Sequence, residues 1–219
     1  MTFLTEVSDQ SSTNKGIFSG LNNPVHDTAQ TFRQLMTVIA EPGKIERLNM
    51  ACDHPTALSK ATSLILLTLL DMDTQLYLAP KYNLPEIRDF FTVQTGTKLV
   101  SKIEQAHFVL IDQNTDIDVY RELSIGNPEY PDQSATLIIQ SEQTDALLTE
   151  VDTNKPPSIA IASGPGIQSS REILLPDLPN DFLIWRDQKN SNFPCGFDMI
   201  FTQQSDIFAL PRTTKVENQ

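Results

Sequence analysis

The side chains best suited to chemistry in this sequence are cationic, and there are few of them. Lysine and arginine together number 16 against 28 aspartates and glutamates, giving a formal net charge of −12. In so acidic a chain, a basic residue beside hydroxyl groups is a candidate to hold a small anion, because guanidinium and ammonium groups form charge-assisted hydrogen bonds with oxyanions. The run Leu210-Pro211-Arg212-Thr213-Thr214-Lys215 offers two such cations, Arg212 and Lys215, with two threonines between them. Arg33 is a third, beside the apolar stripe of the first expected helix and near Asp27 and Glu41. Each has a plainer use, the neutralisation of one of the many carboxylates, and structural ion pairs of that kind are common.

The strongest glycine cluster is Ser163-Gly164-Pro165-Gly166-Ile167. A loop built on Gly164 and Gly166 can turn backbone N–H groups towards an anion. It joins two expected strands and leads into no helix, however, and Pro165 removes one donor, so it lacks the setting of a nucleotide-binding loop. A tight turn is the commoner use of such a sequence. The histidines His26, His54 and His107 share no ligand spacing. His107 opens an apolar strand and reads as a satisfied core group; His54 stands at an expected helix start. Asp71/Asp73 and Asp116/Asp118 could hold Mg²⁺ beside a nucleotide, although turn and capping duty explains them more cheaply. No metal site is expected, and there is no Ser-His-Asp order, G-x-S-x-G or C-x-x-C. On chemistry alone the reading stops at an α/β domain.

Composition bounds the rest. A chain of 219 residues with 39% hydrophobic and 20% charged residues fits a globular protein and should bury roughly 70% of the surface its unfolded form exposes. Net negative charge argues against nucleic acid as a partner, since phosphate backbones repel such a surface. It does not argue against one phosphate. Cys52 and Cys195 show no disulfide or metal pattern, which suits a reducing compartment. Residues 1–20 lack the basic start and apolar centre of a signal peptide. The most apolar run, Leu64 to Leu70, includes Thr68 and falls well short of the about 20 residues of a membrane span. No membrane association and a cytoplasmic location are expected.

The elements that must position these residues can be read in outline. Residues 1–20 are expected to form a loose arm ending in a docking segment, and residues 21–216 a single domain. Asp27, with Gln30, is expected to cap a first helix whose core face carries Phe32, Leu35, Met36 and Ile39, stopped by Pro42-Gly43. A second helix is expected from Asp53, its cap, through Pro55 to about Leu70, and a third from Pro85 to Val93, ending at Gly96. A short helix is placed at Asp116–Leu123 and another at Pro179–Lys189, with Phe182, Leu183 and Trp185 as its apolar positions. Strands are expected at Gln75–Ala79, His107–Asp112, Ala135–Gln140, Ser158–Ala162, Arg171–Leu175, Phe197–Phe201 and Ile207–Leu210. The polar stretch Ser141–Pro157 reads as a mobile connection with a strand edge. The sum is one α/β domain, a mixed sheet with helices on both faces.

A set of short motifs falls in one order along the chain. It opens with Asn23-Pro24-Val25-His26-Asp27 followed by Gln30, Phe32 and Arg33, and continues through Pro42-Gly43, Leu67 to Asp71 with Asp73-Thr74, and Thr95-Gly96. Gly126 with Pro128 to Pro131, Ser134 to Leu137 and Ser163 to Ile167 follow. Phe193-Pro194, Gly196-Phe197-Asp198 and Leu210 to Thr214 complete it. Over roughly residues 20–216 this ordered set resembles the PhnH subunit family of the bacterial carbon–phosphorus lyase system. Three positions depart from the family pattern: Gln94 stands where a histidine is usual, within Thr92-Val93-Gln94 in place of Arg-Phe-His. Cys195 replaces an arginine, and Asn23 an aspartate. With those cations and that imidazole gone, Arg33 and Arg212 become the better surviving candidates.

The resemblance implies a fold similar to pyridoxal-phosphate (PLP)-dependent transferases without that cofactor. The residues agree, because no lysine stands with an acidic partner suited to a pyridine ring. It also implies partnership with the PhnG, PhnI and PhnJ core subunits, and a homodimer when isolated. ATP would be a substrate of the assembled complex, its adenine displaced by the phosphonate to give a ribose 1-phosphonate 5-triphosphate, with PhnJ later cleaving the carbon–phosphorus bond. No cofactor is expected on this chain. Two roles fit: a structural, accessory subunit, or a direct contributor of phosphate- or phosphonate-binding residues to a shared active site.

Overall fold

The computed structural model describes residues 18–141, 158–179 and 181–218. In chain order the elements are β1 (Gly20–Leu21), α1 (Pro24–Ala40), β2 (Glu46–Arg47), β3 (Cys52–Asp53), α2 (Lys60–Leu69) and β4 (Gln75–Leu78). These lead to α3 (Pro85–Thr95), β5 (Lys98–Leu99), β6 (Phe108–Asp112), α4 (Ile117–Tyr120), β7 (Thr136–Gln140) and β8 (Ser158–Ser163). The chain continues through β9 (Arg171–Leu175), α5 (Phe182–Lys189), β10 (Asp198–Gln203), β11 (Asp206–Leu210) and β12 (Lys215–Asn218).

The protein is a mixed α/β structure around a seven-stranded sheet of order β2-β11-β10-β7-β6-β4-β5. Strands β10, β7, β6, β4 and β5 run parallel, while β11 and β2 are added antiparallel at one side. Parallel strands covered on both faces need continuous apolar runs rather than alternation. Val109-Leu110-Ile111, Leu137-Ile138-Ile139 and Met199-Ile200-Phe201 meet that need, all buried. In register Val109 lies opposite Leu137, which lies opposite Met199. The β10–β11 hairpin is locked by Phe201 stacked on its cross-strand partner Phe208, ring centres 4.4 Å apart.

The expectation of one sheet needs correction. Ser158–Ser163 and Arg171–Leu175 leave the main sheet and form an antiparallel sheet of order β12-β8-β9. Alternation explains it: Ala160, Ala162, Ile173, Leu175 and Val216 are buried while their neighbours on the strands are not, the signature of a sheet covered on one face. A third, two-stranded sheet joins β1 to β3.

Helix starts also differ from expectation. Asn23, not Asp27, caps α1: its side chain accepts from the His26 N–H, and Pro24 opens the helix, where its missing donor costs nothing. Asp27 reaches back instead, its Oδ2 accepting from the Asn23 N–H at 2.9 Å. The buried stripe of α1 is Asp27, Thr31, Leu35 and Val38, so Phe32 and Met36, expected in the core, are 48% and 45% exposed. Helix α2 starts at Lys60 with Ser59 as its cap. Asp53 belongs to β3 and accepts from the backbone N–H and hydroxyl of Ser19. Under α2, Thr62 joins Gln140 and Thr202 at 2.8 and 2.7 Å, tying the helix to the ends of β7 and β10.

Most of the expected arm, residues 1–17, and nearly all of the expected connection after Ser141 lie outside the described residues. Phe18 packs edge-on against Phe90 and its carbonyl accepts from the Gln94 side chain at 2.8 Å. Gln94 thus fastens the entry of the chain into the fold. No helix among the described residues is long and apolar enough to cross a membrane.

Cys52, on β3, has its thiol pushed up from an ordinary 9.0 to about 11, chiefly by burial, with Asp53 and Asp27 adding to the effect. Below pH 9 such a rise cuts the thiolate fraction roughly 100-fold, so Cys52 should alkylate that much more slowly than a free thiol. Peptide mass spectrometry after iodoacetamide at pH 8 reads this rate. Folding holds the proton, so the contribution to stability is complete below pH 9 and is lost as pH rises towards 11. Labelling at the free-thiol rate would refute it.

Candidate functional site

Between α5, β12 and the link Pro211 to Thr214 lies a cleft of about 450 Å³. Arg186, Arg212, Thr213, Thr214 and Lys215 line it, with Pro165 of the Ser163–Ile167 turn at one wall. Two of the three expected cations therefore meet at one place, beside the expected glycine turn. The reason is topological: β12 pairs with β8, with Lys215 opposite Ser163, so the end of one segment is laid against the end of the other.

Arg212 is fully committed. Its Nε donates to both Asp198 carboxylate oxygens at 3.3 Å, and Nη2 donates to Asp198 Oδ2 and Ser134 Oγ at 2.6 Å. Nη1 donates to the carbonyls of Pro131 and Pro194, each at 3.2 Å, and the Arg212 backbone N–H reaches Asp198 Oδ1 at 2.7 Å. The fork geometry of a guanidinium suits such a multi-acceptor hub. Cys195, next to Pro194 in the chain, is buried. Lys215 is the opposite case: it is exposed, and no ion pair reaches it among the described residues.

Sequence reasoning missed Arg186. It is completely buried, although its side chain is cationic. Nη2 donates to the Pro211 carbonyl at 2.9 Å and Nη1 to Asp187 at a long 3.3 Å, while Nε has no acceptor. Burial pulls its pKa down, against the raising effects of Asp187 and Asp198. The helix is held by an aromatic cluster in which Trp185 meets Tyr120, Phe182 and Phe197 at 5.0 to 5.7 Å. The available signal was spacing: Arg186 follows Phe182 by four residues and so shares its inward face.

The remaining candidates sit elsewhere. Arg33 is on the exposed side of α1, away from the cleft lining. Gly164 lies against the Thr213 carbonyl, and Gly166 packs on the Ala40 carbonyl and Pro42, so the turn serves close packing. Asp71 accepts from the N–H groups of Asp73 and Thr74, and Asp116 from that of Asp118, which is turn and cap duty. His107 is exposed, contrary to the core role expected of it, and its Nδ1 meets the Gln75 N–H at 3.3 Å. Among the described residues, no group of three or more His, Cys, Asp or Glu is placed to hold a metal ion.

The mixed α/β fold and this arginine-framed cleft belong to a chain whose residues 19–217 match the family model described as "Bacterial phosphonate metabolism protein (PhnH)". The chain belongs to the PhnH family. It is 30% identical over 204 residues to the alpha-D-ribose 1-methylphosphonate 5-triphosphate synthase subunit PhnH of Rhizobium meliloti (strain 1021), covering 93% of this chain and 97% of that one. It is 28% identical over 185 residues to the putative C-P lyase subunit protein HtxG of Stutzerimonas stutzeri, covering 84% and 83%.

Proposed function

We propose that this chain is a subunit of the carbon–phosphorus lyase core complex in phosphonate catabolism. In this reading it is needed for making alpha-D-ribose 1-methylphosphonate 5-triphosphate from ATP and methylphosphonate. The reaction breaks the bond from ribose C1′ to adenine and joins a phosphonate oxygen to that carbon. The chain's part is structural or accessory, and PhnG, PhnI and PhnJ are its companions, in the cytoplasm. The observation that carries the reading is the family match spanning residues 19–217, together with relatives named as subunits. Val25, Phe32 and Met36 support it, because they form an exposed apolar stripe along α1 at spacings of seven and four residues. Stripes of this kind suit burial against another protein, here a companion core subunit.

Co-expression tests it directly. The tagged chain should retain the other three core subunits through purification, and Phe32→Glu with Met36→Glu should cut that recovery while leaving the circular dichroism spectrum unchanged. Recovery of only free chain and homodimer would defeat the proposal. A fold similar to PLP-dependent transferases, used without the cofactor, is part of the same reading. An absorbance shift on adding pyridoxal phosphate, fixed by borohydride, would count against it.

A second reading is favoured by one arrangement. Lys215, which no ion pair reaches among the described residues, lines the cleft that the committed Arg212 frames, so the chain can lend a phosphate- or phosphonate-binding residue to a shared active site.

A further inference from the structure

The exposed stripe of α1 borders another cavity, of about 290 Å³. Phe32, Leu35, Met36 and Ile39 recur at helical spacing and so share one side of α1. Leu35 and Ile39 line the cavity, which puts the half-exposed Phe32 and Met36 beside its mouth. Leu69 of α2, Ile200 of β10 and Ala209 of β11 add further apolar walls. Ile39, Leu69 and Phe108 in the lining are only half-buried, so the space can be reached from the surface. Two polar residues also line it, Thr136 and Asp198, opposite one another in register at the starts of β7 and β10. Asp198 is engaged by Arg212. The half-buried Thr136 hydroxyl has no hydrogen-bond partner among the described residues.

An occupant must therefore be apolar over most of its surface and offer one polar atom to a hydroxyl. Size narrows the choice. Sites for whole ligands run from about 300 to 1,000 Å³, so this cavity stands at the lower limit. An engineered apolar cavity of about 150 Å³ already takes benzene, so one two-ring side chain has room here. Tryptophan has that bulk and a single N–H, which finds a partner when buried, and it is enriched among the residues that dominate binding energy at interfaces. Charge adds a second requirement. Arg33, next round the helix from Phe32, is exposed, and no ion pair reaches it among the described residues. A carboxylate on the same partner segment would complement it.

We propose that this cavity is the anchor pocket for a tryptophan of a companion subunit, carried on a segment that lies along α1 and offers a carboxylate to Arg33. The indole N–H donates to the Thr136 hydroxyl. The proposal rests on the subunit reading above and assigns the point at which the partner is fixed. Free indole probes the pocket on the isolated full chain. It should shift the methyl resonances of Leu35, Ile39 and Leu69 saturably, with a Kd of about 1 mM. The methyls of Ile159 and Leu174, exposed on the small sheet, should not respond. Thr136→Val should weaken indole binding about fivefold. Ala209→Phe, which fills the cavity from β11, should abolish the indole response and cut recovery of the companion subunits at least about tenfold. Should that variant not fold, Ile39→Trp, which plugs the half-buried rim from α1, carries the same expectations. No saturation below ~5 mM indole would overturn the proposal. Full recovery of the companions by a folded, plugged variant would overturn it too, while leaving the subunit reading intact. A parent chain that retains no companion would sink the subunit reading and the proposal with it.

Discussion

Replacing Arg212 with alanine should lower the unfolding free energy by about 3 kcal/mol, read as a shift of the urea midpoint at constant slope. The side chain is the hub where Asp198 on β10, Ser134 before β7 and the carbonyls of Pro131 and Pro194 converge. Removing it strips Asp198 of its counter-charge and leaves two carbonyls without their donor. Breaking a buried ion pair costs about 3–5 kcal/mol. The lower end applies because the Asp198 side chain is 35% exposed and keeps its bond to the backbone N–H of residue 212. Arg212→Lys should recover less than half, since one ammonium cannot span acceptors on several sides. Lys215→Ala, in the same run but exposed, should stay within about 0.5 kcal/mol of the parent. Equal effects at the two positions would refute the division of labour between them.

Gly166→Ala should be comparably damaging, for a steric reason. Gly166 has φ of +82°, and a Cβ there would collide with the Ala40 carbonyl and come within 2.8 Å of the Pro42 ring. The conformation alone costs a side-chain-bearing residue about 1–2 kcal/mol, and forced overpacking adds about 1–3 kcal/mol. Neither obstacle is the movable tip of a side chain, so relief requires the end of α1 to shift. The thermal midpoint should drop by more than about 6 °C, at roughly 2–4 °C per kcal/mol for a chain of this size. A midpoint within about 2 °C of the parent would show that the turn has slack.

The strong apolar runs made much of this architecture readable. HFVLID, ATLIIQ and the Phe197–Phe201 segment each became a buried strand within a residue or two, because strands covered on both faces tolerate little else. What could not be read has physical causes. Strands β1, β2, β3 and β5 are two residues long and carry no period. Among the described side chains of β12, Val216 is buried while Lys215 and Glu217 are exposed, so its polar sequence carries too short an apolar signal to read as a strand. On α1 the stripe was misplaced because Asp27 and Thr31 take the inward positions, while Phe32 and Met36 face outward. At the cleft, Arg212 and Lys215 were visible as cations beside threonines, but which of them is committed to an ion pair was not. That depends on Asp198 and Pro131, remote in sequence and adjacent only once β10 and β7 pair. Arg186 was passed over because an arginine inside an aromatic stripe looks like an interruption until its surroundings are known.

The short link from β11 to β12 carries a dynamic consequence. Pro211 to Thr214 joins the seven-stranded sheet to the three-stranded one, and Arg212, within it, is bonded to Asp198 of β10 and to Ser134 just before β7. Such a tether leaves the smaller sheet little freedom to open by itself. Backbone amides of Ala160, Ala162 and Val216 should therefore exchange with deuterium as part of the same cooperative unit as those of β11.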